Sequence, residues 1–215
     1  MIKKSPIIIA ASVSLVLAAS IWGGFFGVWR DKLIDLLFTA KPVSSDIVIV
    51  AIDEASIRSV GQWPWPRVIF GLAIDRLKEA KTIALDINFK EPSARGPNDD
   101  AVLAAVLNRT KPRVVLSGSI NSEDNGMPLE IFKSESSVGF TNLIISPDGV
   151  ARRIKTEDAD LSSFAYQIAS LYQNNNQPPA LEVLRINYYG RGGTFTSFSF
   201  ADVLNGRVPV AFFKD

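Results

Sequence analysis

The chain opens on one long apolar run and then alternates short β-branched strings with stretches whose apolar residues recur at helical spacing. From Pro6 to Trp29 no residue is charged, a run long enough to cross a bilayer as a helix. Lys3 and Lys4 precede it, and Arg30, Asp31 and Lys32 follow with a net of one positive charge. The positive-inside rule therefore places the N-terminus in the cytoplasm and everything after Trp29 outside it. Two other readings compete, a buried core helix and a cleaved signal peptide with Leu17-Ala18-Ala19-Ser20 as its small-residue site. An apolar signal region of about 7–15 residues would not continue to Trp29, so length favours a retained anchor. Helical spacing resumes over 32–38 and stops at Lys41-Pro42, because proline cannot extend a helix and biases its predecessor to extended geometry.

Residues 47–52, Ile-Val-Ile-Val-Ala-Ile, form an unbroken apolar string, which predicts a strand covered on both faces and ending at Asp53. An apolar stripe over 68–80 predicts a helix, and 82–89 a second apolar strand. Strand, helix, strand implies a right-handed unit with these two strands as parallel neighbours. A helix follows to Arg109 with Asn98 or Asp99 as its cap, then a third strand over 114–118. Ser146-Pro147-Asp148-Gly149 between two apolar strings is the strongest hairpin signal, since Pro fixes φ and Gly supplies positive φ. Residues 163–172 read as a helix ended by the Asn174-to-Pro179 stretch, 183–189 as a strand, and 198–204 as a short helix with Gly206 past its end. The predicted class is α/β, a mixed and mainly parallel central sheet with flanking helices behind one N-terminal transmembrane helix. The boundaries are 1–5 cytoplasmic, 6–29 transmembrane, 30–42 juxtamembrane helix and linker, and 43–215 an extracytoplasmic domain. The apolar approach over 208–213 leads to nothing that Lys214-Asp215 supplies, so the domain reads as C-terminally incomplete.

Composition narrows the chemistry. The 215 residues hold no Cys and no His, so Cys/His zinc sites, thiol nucleophiles, His-dependent triads and phospho-accepting histidines are absent. Lys3 and Lys4 account for two of the 23 basic residues against 22 acidic ones, leaving the rest of the chain slightly acidic and without the footprint of a nucleic-acid binder. No cofactor motif is present: Gly190-Arg191-Gly192-Gly193 lacks dinucleotide spacing and any phosphate-loop lysine.

Two constellations remain. Asp53 and Asp86 fall at or near the carboxyl ends of apolar strands, where ligand crevices form in open α/β sheets. Together they could hold Mg²⁺, or Asp53 simply caps the turn before Ser56 while Asp86 bonds backbone amides or an arginine. Trp63-Pro64-Trp65-Pro66-Arg67 presents two indoles on a stiff extended segment ahead of a helix. It reads as an aromatic clamp with Arg67 as anion partner, or as a plug on the core with Arg67 paired to Asp53 or Asp86. Asp99-Asp100 is most simply a helix cap.

Taken together, 47–57, Gly61-Gln62-Trp63-Pro64-Trp65-Pro66-Arg67, 84–89 and Asp99-Asp100-Ala101-Val102-Leu103-Ala104 resemble the CHASE2 family, as do Val138-Gly139-Phe140, 148–152, Ile186-Asn187-Tyr188 and 200–206. The resemblance implies an extracytoplasmic sensor module of a bacterial transmembrane receptor, covering about Asp35 to the C-terminus. It also implies further sensor sequence, about three transmembrane helices and a cytoplasmic output domain beyond 215, so no output activity belongs to these residues. Asp53, Ser56, Trp63, Trp65, Arg67, Asp86, Asp99 and Asp100 carry over as candidate ligand-binding or signalling positions without catalytic roles, and no metal ligands are assigned. The expected partners are the bilayer, a small-molecule or protein ligand, and a second copy in a homodimer. The competing functions are a membrane-bound Mg²⁺-dependent hydrolase using Asp53 and Asp86, and a non-catalytic dimerisation scaffold using an exposed apolar edge over 195–200.

Overall fold

A computed structural model describes residues 4–24, 26–111, 113–120, 125–175 and 182–214. Lys3 and most of the break expected over 174–179 lie outside them. The N-terminal region forms α1 (Lys4–Trp22) and α2 (Gly27–Leu36). The domain continues with β1 (Val48–Ala51), α3 (Glu54–Val60), α4 (Arg67–Arg76), β2 (Ile83–Leu85), α5 (Pro97–Arg109), β3 (Val114–Ile120), β4 (Asn125–Gly126) and α6 (Glu130–Lys133). It ends with β5 (Ser137–Phe140), β6 (Ile144–Ile145), β7 (Ala151–Lys155), β8 (Glu157–Asp158), β9 (Leu161–Ser162), α7 (Phe164–Gln173), β10 (Val183–Arg185), β11 (Thr196–Ser199), α8 (Phe200–Leu204) and a 3₁₀ turn at Val210–Phe213.

The fold is mixed α/β, with several small sheets where one central sheet was expected. β2, β3 and β5 pair in parallel, and α5 is the crossover of the β2–α5–β3 unit. β1 pairs in parallel with β11, Val48 opposite Thr196 and Ala51 opposite Ser199, and not with β2 as expected. Among the described residues β11 has β1 as its one strand partner, and of the apolar side chains over 195–200 Phe200 is buried while Phe195 and Phe198 are half-buried. β6, β7 and β10 form an antiparallel sheet. Its β6–β7 hairpin turns at the expected Pro-Asp-Gly: Ser146 N–H donates to Val150 O at 2.9 Å, and Gly149 takes φ +81°.

The core lies under α4 and α5, where Phe70, Ile74, Phe89, Leu103, Leu107, Val114, Leu116 and Phe132 are buried. The two helices run side by side because Gly71 offers no Cβ: one placed there would sit 3.0 Å from Val106 Cγ2. Gly96 at φ +93° precedes α5, with Pro97 in its first turn, so Asn98 and Asp99 are not its cap. Asp99 and Asp100 sit inside that turn.

Two further expectations change. Val48 and Val50 face the core, but Ile47, Ile49 and Ile52 are exposed, so the apolar string of β1 is covered on one face only. The span expected over 6–29 is also interrupted. α1 ends at Trp22, Gly23 and Gly24 follow with Gly24 at φ +74°, and α2 starts at Gly27. Gly24 at positive φ, next to a second glycine, breaks the helix there, and among the described residues no helix is long and apolar enough to cross a membrane.

Candidate functional site

Asp53 follows β1 and caps α3. Its Oδ1 accepts from the Ser56 amide at 2.8 Å, the Ser56 hydroxyl at 2.7 Å and the Ser199 hydroxyl at 2.9 Å. The Ser56 hydroxyl, fully buried, in turn accepts from Ala201 N–H at 3.1 Å. Parallel register explains the convergence: with Ala51 opposite Ser199, both strands deliver their next polar residues to one edge. The Ser56 hydroxyl, then the Ser56 amide and the Ser199 hydroxyl, hold the exposed Asp53 carboxyl below its ordinary range. It is therefore an anion at neutral pH and is not poised as a general acid.

The tryptophan string splits into two roles. Trp65 is 3% exposed and donates from Nε1 to Gly61 O at 2.7 Å, whereas Trp63 is 43% exposed. Their ring centroids lie 5.3 Å apart, and Trp65 stacks 5.2 Å from Phe200, the neighbour of Ser199. Asp53, Ser56, Ser199, Phe200, Trp65 and Trp63 thus form one contact chain. Ser199, Phe200 and Ala201 were missed as site residues, although 200–206 carried part of the family resemblance.

Arg67 is not an open anion partner. It is 9% exposed, and Nε donates to Asp100 Oδ1 at 2.9 Å while Nη2 donates to Glu91 O at 2.7 Å. Its guanidinium lies 4.8 Å from the Phe89 ring centroid. Its amide donates to both Asp99 oxygens at 3.0 Å, and the Ser93 hydroxyl donates to Asp99 Oδ2 at 2.6 Å. Burial pushes the Asp99 carboxyl up, but the Arg67 amide and Ser93 hydroxyl outweigh it and the net shift is down. Arg67 therefore pairs with Asp100 instead of the expected Asp53 or Asp86, because the extended Trp-Pro segment sets it beside the first turn of α5. Asp86 is exposed past β2, and its carboxylate makes no hydrogen bond or ion pair among the described residues. It and Asp53 follow strands of different sheets, and the described residues hold no group of three or more acidic side chains suited to a metal ion. A shallow bowl of about 500 Å³ between β7, β8 and β10 is lined by none of the residues singled out from the sequence.

A third cluster went unseen in the sequence. Arg152 of β7 is buried, and its Nε donates to Asp35 of α2 at 3.0 Å while Nη1 and Nη2 each donate to Asp148 at 2.8 Å. Arg152 holds the Asp148 carboxyl down to about 2 and lowers that of Asp35, and the two carboxylates raise Arg152. Asp148 and Arg152 four residues apart across a turn hint at the pair, but nothing local signals Asp35.

In comparison with known proteins, no curated protein and no solved structure matches. The family model described as CHASE2 domain matches residues 9–215, which takes in the Asp53 edge, the tryptophan string and the Arg152 cluster. By that nearly full-length match the chain belongs to the CHASE2 domain family, whose members are extracytoplasmic sensory domains.

Proposed function

We propose that this chain is the sensory part of a membrane receptor, non-catalytic in itself, anchored by its N-terminal helix and reading a ligand outside the cytoplasm at the Asp53–Trp63 edge. The observation that carries the site is the contact chain from Asp53 through Ser199, Phe200 and Trp65 to the half-exposed Trp63. A fixed, exposed carboxylate joined through buried Phe200 and Trp65 to a half-exposed indole suits a ligand with an ammonium or hydroxyl donor and an apolar body. Binding there must favour one of two arrangements of the sheet edge, or it shifts nothing.

The anchor reading is supported by α1, which is apolar all round and exposed along its length. Such a helix belongs in a large core or in lipid. Its 19 residues give about 28 Å, just under the hydrocarbon thickness of about 30 Å, and the uncharged sequence runs on to Trp29.

The site is tested by tryptophan emission of the full chain in lipid vesicles against fractionated small-molecule extracts. A change lost in both Trp63→Phe and Asp53→Asn supports it, whereas a flat response, or one that survives both, removes it. Topology is tested separately by external protease on spheroplasts, and a domain that resists cleavage overturns the extracytoplasmic placement.

A further inference from the structure

Helix α2 sits on the domain the wrong way round. A surface helix ordinarily buries its apolar stripe and turns its charges to water. Here Asp31 and Asp35, one turn apart, face the domain: Asp31 is buried 3.9 Å from Arg185, and Asp35 is held by Arg152. On the opposite side Phe26, Trp29, Leu33, Leu36 and Leu37 fall within an arc of about 100° at 3.6 residues per turn, and all are exposed, Leu36 and Leu37 by 80% and 79%. Arg30 and Lys32 flank this stripe, Lys32 lying 5.7 Å from the Trp29 ring centroid.

We propose that this stripe is a lipid-docking surface, so that α2 lies in the plane of the bilayer interface between the lipid and the β7–β10 sheet. Three observations select lipid as the occupant. The stripe continues directly from α1, whose apolar surface is exposed all round, after a bend at Gly23-Gly24. Trp22, Phe26 and Trp29 gather at that bend, and large aromatic rings concentrate at membrane interfaces. Basic residues on both borders of the apolar arc suit anionic headgroups, the pattern of an interfacial amphipathic helix. Arg152 then acts as a positioning residue, bolting the membrane-lying helix to the hairpin through Asp35 while Asp148 holds it from the other side. The inference deepens the anchor reading and rests on it for the lie of the bilayer.

The absence of cysteine makes the test direct. Single variants Leu33→Cys and Leu36→Cys on the stripe, Leu15→Cys in α1 and Glu79→Cys on the domain surface carry an environment-sensitive fluorophore. The full chain is reconstituted in phosphatidylcholine/phosphatidylglycerol vesicles with nitroxide lipids of graded depth. The expected result is a blue-shifted emission at positions 33 and 36 quenched most by the shallow nitroxide, consistent with a depth of about 5–10 Å. Position 15 is quenched most by the deep one, and position 79 by neither. Position 15 quenched with 33 and 36 left in water overturns the lipid-docking stripe and leaves the anchor standing. Shallow quenching at 33 and 36 with position 15 unquenched keeps the stripe and removes the anchor. Blue-shifted but unquenched labels at 33 and 36, with unlabelled Leu33→Cys copies forming a disulfide when an oxidant is added, assign the stripe to a second chain and overturn the proposal.

Discussion

Replacing Arg67 with methionine separates its two readings, because an anion-binding arginine is dispensable for folding and a buried clamp is not. Methionine keeps much of the aliphatic stem but removes the donors to Asp100 and to Glu91 O. Asp100, 5% exposed, then keeps the Ser93 amide at 2.9 Å as a donor but no cation. Stranding one partner of a buried pair costs about 3–5 kcal/mol. The contact of the guanidinium with the Phe89 face is lost as well. With a urea slope of about 2 kcal/mol/M, the midpoint falls by about 1.5–2.5 M. The assay is urea unfolding of the full chain in detergent micelles, read by the emission of the buried Trp65 and by far-ultraviolet circular dichroism, whose coincidence checks the two-state reading. Arg67→Met combined with Asp100→Leu removes the stranded charge, so the double variant is expected to be more stable than Arg67→Met alone. A single variant within about 0.5 kcal/mol of the parent, or a double variant that falls by the sum of the two singles, refutes the clamp.

Gly139→Ala is expected to lower the melting temperature by several degrees, since its Cβ would lie 2.5 Å from Phe164 Cα and 2.7 Å from Phe164 N and a backbone must yield at a cost of about 1–3 kcal/mol. Gly192→Ala, with open space around it, is the matched control and is expected to be neutral. Ser56→Ala, which orphans the Ala201 amide and removes a donor to Asp53, is expected to cost about 1–3 kcal/mol in urea unfolding. Ser199→Ala at its half-buried position is expected to cost less, and the reverse order would contradict the network. Asp148 is held down to about 2 and Asp35 is lowered, both by Arg152, against an unfolded value of about 3.9. Their stabilisation is therefore complete above about pH 5 and lost as pH falls from about 4 to 2. The stability gap between the parent and Arg152→Met should be constant above that window and shrink through it; a gap unchanged down to pH 3 would exclude the ion pairs as its source.

What the sequence made legible was local. The hairpin is announced by Pro147 and Gly149, the β2–α5–β3 unit by apolar period, and α7 by its apolar spacing, with Ser163, read as its first residue, serving instead as its cap. Pairing across long separations was not. β1 takes β11 as its partner, and the rule that consecutive strands neighbour each other has no means of knowing that a strand almost 150 residues away supplies that pairing. The unbroken apolar string of β1 equally failed to reveal that Ile47 and Ile49 stay uncovered, because hydrophobicity on both faces states a need and not its fulfilment. At the site, residue types were readable and partners were not. Arg67 has carboxylates before and after it in the sequence as candidate partners, and only the packing of α4 on α5 selects Asp100. Asp35 was invisible as a functional group because its partner arrives from a hairpin beyond position 140.

These long-range ties give the proposed sensor a route between its two ends. Ser199, which touches Asp53, closes β11, and the backbone leads back from β11 to Tyr189 and Asn187. Tyr189 O accepts from the Lys41 amide at 2.9 Å and Asn187 Oδ1 from the Lys41 ammonium at 2.7 Å. Lys41 lies between α2 and β1, and β1 returns to Asp53. The loop is closed: α2, the Lys41 linker and β1 form one rail, β10 and β11 the other. Cross-ties sit at Arg185–Asp31, at Lys41–Tyr189, along the β1–β11 ladder and at Asp53–Ser199, and β7, the neighbour of β10, adds Arg152–Asp35. A paired ladder resists stretching but permits two strands to tilt together, so a ligand that tightens the Asp53 edge has a lever ending on α2. A lever of this kind transmits only if its far end meets something that resists it. An α2 seated in the bilayer interface supplies that resistance, and an α2 loose in water would dissipate the motion.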